Sequence, residues 1–173
     1  MSFSQELLVQ RKKNGMSQTA LAMAIGVTQS TISDYESGRD VPQENAYRLS
    51  KVLESDRLLA VHCFEYKTGF FNVPVLNGVD DHNVVCMGVL IEEAAELISN
   101  LERLRKLVVN KRDRREFNKE EWQRLLQHEE QVLDIMPAIQ MHLIEMSELY
   151  GLDLHDLEFR LEQKMKRKKY YKK

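Results

Sequence analysis

Apolar residues in the first 66 positions recur at spacings of three and four, and short polar stretches interrupt them. This spacing is typical of amphipathic helices. Ser17, Thr28 and Ser55 stand where residues that cap helix N-termini are favoured, and Gly15 and Gly26 stand where helices end. We therefore predict five short helices, at about residues 4–14, 18–25, 29–37, 42–53 and 56–66. Together they are large enough to form one compact bundle.

The next segment, TGFFNVPVLNGVDDHN, has a different character. It concentrates Gly, Pro, Asn and Asp, with β-branched residues between them, which is typical of turns and connections. We predict a linker over roughly residues 67–80, with a short extended segment from Phe70 to Leu76. The linker divides the chain into an N-terminal unit over residues 1–66 and a C-terminal unit over residues 81–173.

A long helix is predicted from about Asp81, because apolar residues alternate at spacings of three and four through about three heptads. Its stripe consists of Met87, Leu90, Ala94, Leu97, Leu101, Leu104 and Val108. The sequence RDRREF interrupts this helix. Asn118 and Glu121 then form the pattern of a capping box, which begins a second long helix.

The second long helix carries its own apolar stripe, followed by a stop and one further helix. The stripe consists of Trp122, Leu125, Val132, Met136, Ile139, Leu143, Met146 and Tyr150. Pro137 lies within the stripe and should kink the helix. Gly151 should end it, and Asp153 should cap a last helix.

Two successive long helices with continuous stripes predict an antiparallel hairpin. One hairpin has a shallow core, and Ile91, Ile98 and Leu107 widen the first stripe beyond what one partner helix covers. We therefore expect self-association, as a dimer or tetramer; packing on the N-terminal bundle or on the last helix is the alternative. The residues expected at the oligomer interface are Met87, Leu90, Ala94, Leu97, Leu101, Leu104, Val108, Trp122, Met136 and Leu143.

The composition agrees with an all-α fold, since 43% of the 173 residues are hydrophobic and only 3 are Pro and 7 Gly. The net charge of −2 excludes a globally basic chain, so any contact with nucleic acid must come from a local patch. The N-terminal sequence MSFSQELLVQ has no signal-peptide pattern, and no apolar run approaches the about 20 residues that span a bilayer. We expect a cytoplasmic protein with no membrane partner.

The most informative stretch is MSQTALAMAIGVTQSTISDYESGR, residues 16–39. Gly26 suits a tight turn between two short helices, and Ala22 is small enough for those helices to cross closely. This is the helix-turn-helix pattern, in which the second helix enters the DNA major groove. The inward-facing residues are Leu21, Ile25, Val27, Ile32 and Tyr35. The outward face displays short donors and acceptors, suited to base edges and phosphates, on Thr28, Gln29, Ser30, Ser33 and Asp34.

The sequence MSQTALAMAIGVTQSTISDYESGRDVP resembles the Cro/phage-repressor type (XRE-like) helix-turn-helix family, over residues 4 to about 54. The resemblance implies a five-helix, lambda-repressor-like domain that binds a double-stranded DNA operator. It implies that Gln18 and Arg39 hold phosphates. It places the base-reading positions on Gln29, Ser30 and Asp34.

Two further positions follow from the same resemblance. Arg11 and Glu36 match a pair that the family often uses, and we predict that they form a structural ion pair. Asp34 departs from the family pattern, in which Arg, Lys or Gln is common. A carboxylate at that position must accept from cytosine N4 or stay out of contact with DNA. The operator sequence therefore stays open.

Charge limits what one copy of the N-terminal unit can do. Residues 1–55 contain six Lys or Arg and six Asp or Glu. Because neutralising phosphates supplies much of the affinity for DNA, such a unit should bind weakly as a monomer. Two or more copies on one operator would compensate, which is a second reason to expect an oligomer.

Other patterns give weaker hypotheses. The sequence EEAAE, residues 92–96, resembles half of the metal motif of the all-α, MazG-like nucleotide pyrophosphohydrolases. That family needs an ExxD on a following helix, and Glu130 and Asp134 stand one residue too far apart. We therefore predict that the chain is not an enzyme.

No metal or cofactor is predicted either. Cys63 and Cys86 fit no metal spacing, and His142 and His155 complete no site. The basic end, KMKRKKYYKK, is either a solvated tail or a clamp for phosphates or an acidic partner.

The resemblance and the patterns together predict a transcription regulator. In this family the architecture usually implies a repressor of a prophage or mobile-element promoter, here acting as a homo-oligomer through its C-terminal helices. The alternative is an antitoxin-like or anti-repressor-controlled protein whose helical half binds a different protein. An all-α pyrophosphohydrolase is the remote alternative.

Overall fold

A computed structural model describes residues 2–68, 72–76 and 83–170 of the chain. These residues are helical or irregular, with no strand among them, as the sequence predicts. The helices are α1 (Phe3–Lys13), α2 (Gln18–Ile25), α3 (Gln29–Glu36), α4 (Gln43–Val52), α5 (Asp56–Tyr66), α6 (Asn83–Val108), α7 (Lys119–Leu133), α8 (Ile135–Tyr150) and α9 (Leu154–Arg167). A 3-10 turn at Arg114–Glu116 lies in the stretch predicted to interrupt the long helices.

Local capping explains where the N-terminal helices begin. The side chains of Ser17, Thr28 and Ser55 each accept a hydrogen bond from the backbone N–H three residues further on, as predicted. Pro42, at which the fourth helix was predicted to begin, immediately precedes α4. The residues next to each helix therefore determine where most of the N-terminal helices begin.

The five N-terminal helices share one core that draws its fully buried residues from positions 3–61. It is built from Phe3, Leu7, Leu21, Ala22, Ile25, Ile32, Tyr35, Val41, Ala46, Leu49, Leu53, Leu58 and Val61. Of the predicted linker, residues 72–76 have no regular secondary structure, and Val75 packs against this core. Phe70, at the start of the predicted extended segment, lies outside the described residues.

The C-terminal part is an antiparallel hairpin, in which α6 packs against both α7 and α8. The side chain of Asn100 donates to the backbone carbonyl of His128, and Lys111 forms an ion pair with Glu121 near the turn of the hairpin. Residues distant in sequence thus meet in the order expected for helices that run in opposite directions. The capping box at Asn118 is present, as predicted.

The predicted second long helix is two helices. A kink was expected at Pro137, but α7 ends at Leu133 and α8 begins at Ile135, one turn earlier. Proline has no N–H to donate to the carbonyl four residues before it, which is the carbonyl of Leu133. Pro137 itself lies in the first turn of α8, where its missing donor has no partner in the helix to lose.

The start of α5 and the end of α8 join the two parts of the chain. Ser147 donates to the Asp56 carboxylate over 2.5 Å, and Ser55 donates to the Glu148 carboxylate over 3.3 Å. Lys13 Nζ also lies 3.5 Å from Glu148 Oε2. No helix in residues 2–68, 72–76 or 83–170 is long and apolar enough to cross a membrane.

Candidate nucleic-acid interface

The turn between α2 and α3 fixes the angle between these two helices. Gly26 ends α2 with φ of 78° and ψ of 35°, the left-handed conformation that a Cβ would oppose. The next backbone N–H, of Val27, donates to the carbonyl of Ala22. Leu21, Ile25 and Ile32 are buried on the inner side of the two helices. The turn and the core together fix the position of α3 against α2.

The outer face of α3 is polar and exposed. Thr28, Gln29, Ser30 and Asp34 are exposed, and Ser33 is half-buried. Thr28 also caps the helix through its hydroxyl and has the hydroxyl of Ser30 at 2.8 Å. The residues predicted to contact DNA therefore share one accessible surface.

A chain of hydrogen bonds runs from α1 across the domain to this surface. Arg11 donates to both oxygens of Glu36, from Nε over 2.5 Å and from Nη2 over 3.0 Å, and donates from Nη1 to the carbonyl of Met16. Gln18 Nε2 donates to Glu36 Oε2 over 2.8 Å. Gln29 Nε2 in turn donates to Gln18 Oε1 over 2.6 Å. Gln29 is thus oriented by a partner that is itself held in place.

The sequence pattern did not indicate the bond between Gln18 and Glu36. It matters because an amide has two N–H donors, and Gln18 uses one of them on Glu36. One donor remains for a DNA phosphate. The same side chain therefore has the capacity to bridge the core ion pair, Gln29 and the DNA backbone.

The Glu36 carboxylate is the electrostatic centre of this network. Burial by itself raises the pKa of Glu36, but hydrogen bonds from Arg11 and Gln18, with the charges of Arg11 and Lys12, bring it below its ordinary value. The hydrogen bond to Glu36 likewise raises the pKa of Arg11. The network therefore favours the charged form of both partners.

Asp34 and Arg39 meet each other at the edge of the same face. Arg39 Nη1 lies 3.0 Å from Asp34 Oδ2, and both side chains are at least half exposed. The arginine that is expected to hold a phosphate thus neutralises the carboxylate that departs from the family pattern. This pairing lowers the positive charge that the free protein offers to DNA.

The helix-turn-helix family model matches residues 9–57 of this chain. This segment is a helix-turn-helix domain. The match includes all of α2, α3 and α4 and confirms the resemblance to the Cro/phage-repressor type. No curated protein and no solved structure matches the chain.

The helix-turn-helix domain carries few cations that are not already paired. Arg48 Nη2 lies 2.5 Å from Oε1 of Glu44, which precedes Arg48 by one turn of α4. Arg11, Lys13 and Arg39 have acidic partners as well. The domain therefore presents a polar surface for DNA instead of a strongly basic one, in line with its balanced composition.

The ten residues predicted at an oligomer interface fall into two groups. Met87 and Leu101 are 39% and 44% exposed. The others are half-buried within this chain: Leu90, Ala94, Leu97, Leu104, Val108, Trp122, Met136 and Leu143. Most of the predicted interface residues are therefore partly covered within the single chain.

The acidic side chains of α6 lie near Asp134, which its spacing from Glu130 had excluded from a metal-binding motif. Burial raises the pKa of Glu93, and the nearby carboxylates of Asp134, Glu96 and Glu92 raise it further. Asp134 lies in the break between α7 and α8, which brings it close to α6. Even so, no group of three or more His, Cys, Asp or Glu within the described parts of the chain could hold a metal ion.

Proposed function

We propose that this chain is a sequence-specific DNA-binding transcription regulator that acts as a homo-oligomer, most simply a repressor of a prophage or mobile-element promoter. The observation that carries the proposal is the exposed polar face of α3, presented by a helix-turn-helix domain in which α3 is anchored by the buried residues Ile32 and Tyr35. Gln29 donates one of its two N–H groups to Gln18, which leaves the other N–H and its carbonyl oxygen available for a bidentate contact with adenine. The repressor role rests on the resemblance to phage-type repressors.

Oligomerisation is the second part of the proposal. The paired charges of the helix-turn-helix domain leave little net attraction for phosphates. Two domains held on neighbouring half-sites bind much more tightly than one, because the second contact is intramolecular. Exposed apolar residues in the C-terminal helices support an interface there.

A different protein is the alternative partner for the C-terminal helices. The exposed apolar residues on α6 and α9 would serve an antitoxin-like or anti-repressor-controlled protein equally well. Light scattering on the purified chain separates the two functions. A stable homo-oligomer supports the first, and a monomer at all concentrations supports the second.

The recognition face is tested on an operator selected from random DNA duplexes with the full chain. Gln29→Ala should weaken binding to that operator by about 1–3 kcal/mol, since it removes a base contact. The melting temperature should hardly change, because Gln29 is exposed. Gln123→Ala, an exposed glutamine on α7, is the matched control and should bind as the wild type does. Equal binding by both variants would mean that another surface reads the DNA.

The role of Asp34 is tested by removing its charge alone. Asp34→Asn should release Arg39 and reduce repulsion of the phosphates, so operator binding should become tighter. The slope of log affinity against log salt should steepen by about one. Fluorescence anisotropy at several salt concentrations measures both. A loss of affinity for the selected operator would instead identify Asp34 as a base-reading residue that accepts from cytosine.

A further inference from the structure

A cavity of about 470 Å³ lies between α5 of the helix-turn-helix domain and α8 of the C-terminal hairpin. We call it the joint cavity, because Asp56 lines it and also accepts the hydrogen bond from Ser147 that joins the two parts of the chain. Its apolar wall includes Leu59, Ala60 and Cys63 of α5 and Met136, Ile139 and Leu143 of α8.

The apolar wall consists of two facing helix stripes. On α5 its residues lie three, four and seven positions after Asp56, and on α8 they lie three and seven positions after Met136. Each set therefore occupies one face of its helix. Facing apolar residues on packed helices normally interdigitate and leave few voids larger than a water molecule. Here Ile139 is 41% exposed and the other five wall residues are half-buried, so the two stripes enclose space that their side chains do not fill.

The size, the lining and the position of the joint cavity are those of a small-molecule site. Pockets for small molecules have volumes of about 300–1,000 Å³, are lined mainly by apolar side chains with a few polar groups, and often lie between domains. Apolar groups gain free energy when they leave water for such a lining. The joint cavity therefore offers a binding site to the apolar part of a small molecule.

Charge indicates which class of small molecule the cavity suits. Its polar lining residues are Asp56, Gln140, His155 and Glu158, and no Lys or Arg of the described residues lines it. Glu158 Oε2 lies 3.5 Å from His155 Nδ1, and the Glu158 side chain is 80% exposed, which places this pair at the mouth of the cavity. Even where a charged His155 balances Glu158, Asp56 leaves the lining negative. The lining therefore attracts a cation and repels carboxylates and phosphates.

We propose that the joint cavity binds a small apolar molecule that carries one positive charge. The apolar part lies between the stripes of α5 and α8, and the charged group lies against the Asp56 carboxylate. There the cation competes with the Ser147 hydroxyl for Asp56 and loosens the connection between the helix-turn-helix domain and the hairpin. Because tethered domains bind two half-sites tightly only when their geometry fits both, the ligand weakens operator binding. This last step rests on the proposed function, whereas the binding site itself does not.

Protection of Cys63 tests the site in the full chain. Cys63 lies in the cavity wall, whereas Cys86 is fully buried. N-ethylmaleimide should therefore alkylate Cys63 first, and mass spectrometry of the digested chain measures the rate at each cysteine. Tetraphenylphosphonium, an apolar cation, should slow the alkylation of Cys63 about tenfold at about ten times its dissociation constant. Tetraphenylborate has the same shape with a negative charge and should protect Cys63 much less.

Isothermal titration calorimetry on folded variants locates the bound cation. Ala60→Phe should abolish the binding of tetraphenylphosphonium, because a phenyl group on the cavity wall fills the space between the stripes. Ala95→Phe is the matched control, since Ala95 is exposed on α6 outside the cavity lining, and it should bind as the wild type does. Asp56→Asn keeps an acceptor for Ser147 but loses the charge, so it should weaken binding at least about fivefold. Circular dichroism checks that each variant is folded.

Operator binding is then measured with and without tetraphenylphosphonium. The affinity of the wild-type chain should fall at least about fivefold, whereas that of Ala60→Phe should not respond. Equal protection of Cys63 by tetraphenylborate would overturn the preference for cations, and undiminished binding to Ala60→Phe would overturn the site. A cation that binds in the cavity without changing operator affinity would overturn the regulatory step. Failure of the ligand-free chain to select any operator would instead overturn the proposed function and leave the site intact.

Discussion

A fragment of residues 1–68 should fold and yet bind the operator about 10²- to 10⁴-fold more weakly than the full chain. It should fold because the buried core of the helix-turn-helix domain comes from residues 3–61, and because Lys67 completes the C-terminal cap of α5. It should bind weakly because one domain engages one half-site, and because Arg39 and Arg48 are already paired with carboxylates. Anisotropy titrations of both proteins on the same duplex measure the difference.

The fragment needs a check on its fold. A cooperative melting curve should show that the weaker binding is not caused by unfolding. Should the fragment bind as tightly as the full chain, the C-terminal helices have no part in DNA affinity. They would then be a module for a different protein.

Glu36→Ala should lower the free energy of unfolding of the helix-turn-helix domain by about 3 kcal/mol. The side chains of Arg11 and Glu36 are only 12% and 7% exposed, so the variant leaves a nearly buried guanidinium without its carboxylate. Gln18 loses its acceptor as well. Glu44→Ala is the matched control, because its pair with Arg48 is exposed and should contribute at most about 0.5 kcal/mol. Urea unfolding of both variants gives the comparison.

The same carboxylate predicts how stability depends on pH. The pKa of Glu36 is lower in the folded protein than its ordinary value of 4.5. Its contribution is therefore complete above pH 4.5 and is lost as the pH falls through the lowered pKa of the folded state. The difference in stability between wild type and Glu36→Ala should shrink over this acid range. A difference that stays constant down to the lowest pH would show that the pair does not carry the effect.

DNA binding distinguishes a structural role for Glu36 from a direct one. If the network only supports the fold, Glu36→Ala should still bind the operator at temperatures where the domain is folded. Its affinity should fall only in part, because Gln18 loses the acceptor that positions it beside Gln29. An unchanged melting curve with complete loss of binding would put Glu36 at the DNA surface.

The sequence predicted the helix-turn-helix domain nearly residue by residue because its signals are local. A cap such as Thr28 bonds a backbone N–H three residues away, and Gly26 adopts a conformation that other residues avoid. Such effects do not depend on distant parts of the chain. The kink predicted at Pro137 rests on an equally local signal, but the structure has a break between two helices instead, one turn earlier.

The sequence could not determine partners that depend on how helices approach each other. Gln18 was expected to hold a phosphate, but the crossing of α2 and α3 also brings it to Glu36 and Gln29. Asp134 was set aside because its spacing from Glu130 did not fit a motif, yet the break after α7 brings it near Glu93. In each case the distance between the two side chains is set by how the helices pack. The spacing of residues along one helix does not determine that distance.

Helix α6 shows which features its own sequence determines and which the tertiary structure determines. Its sequence determines that it is a long helix with apolar residues around much of its circumference, because helix propensity and the 3.6-residue period are properties of the segment itself. Which apolar face points into the hairpin depends on the tertiary structure. Packing of α7 and α8 selects the side with Cys86 and Asn100 and leaves Ile91 and Ile98 on the outside, since one hairpin can cover only one side of a helix.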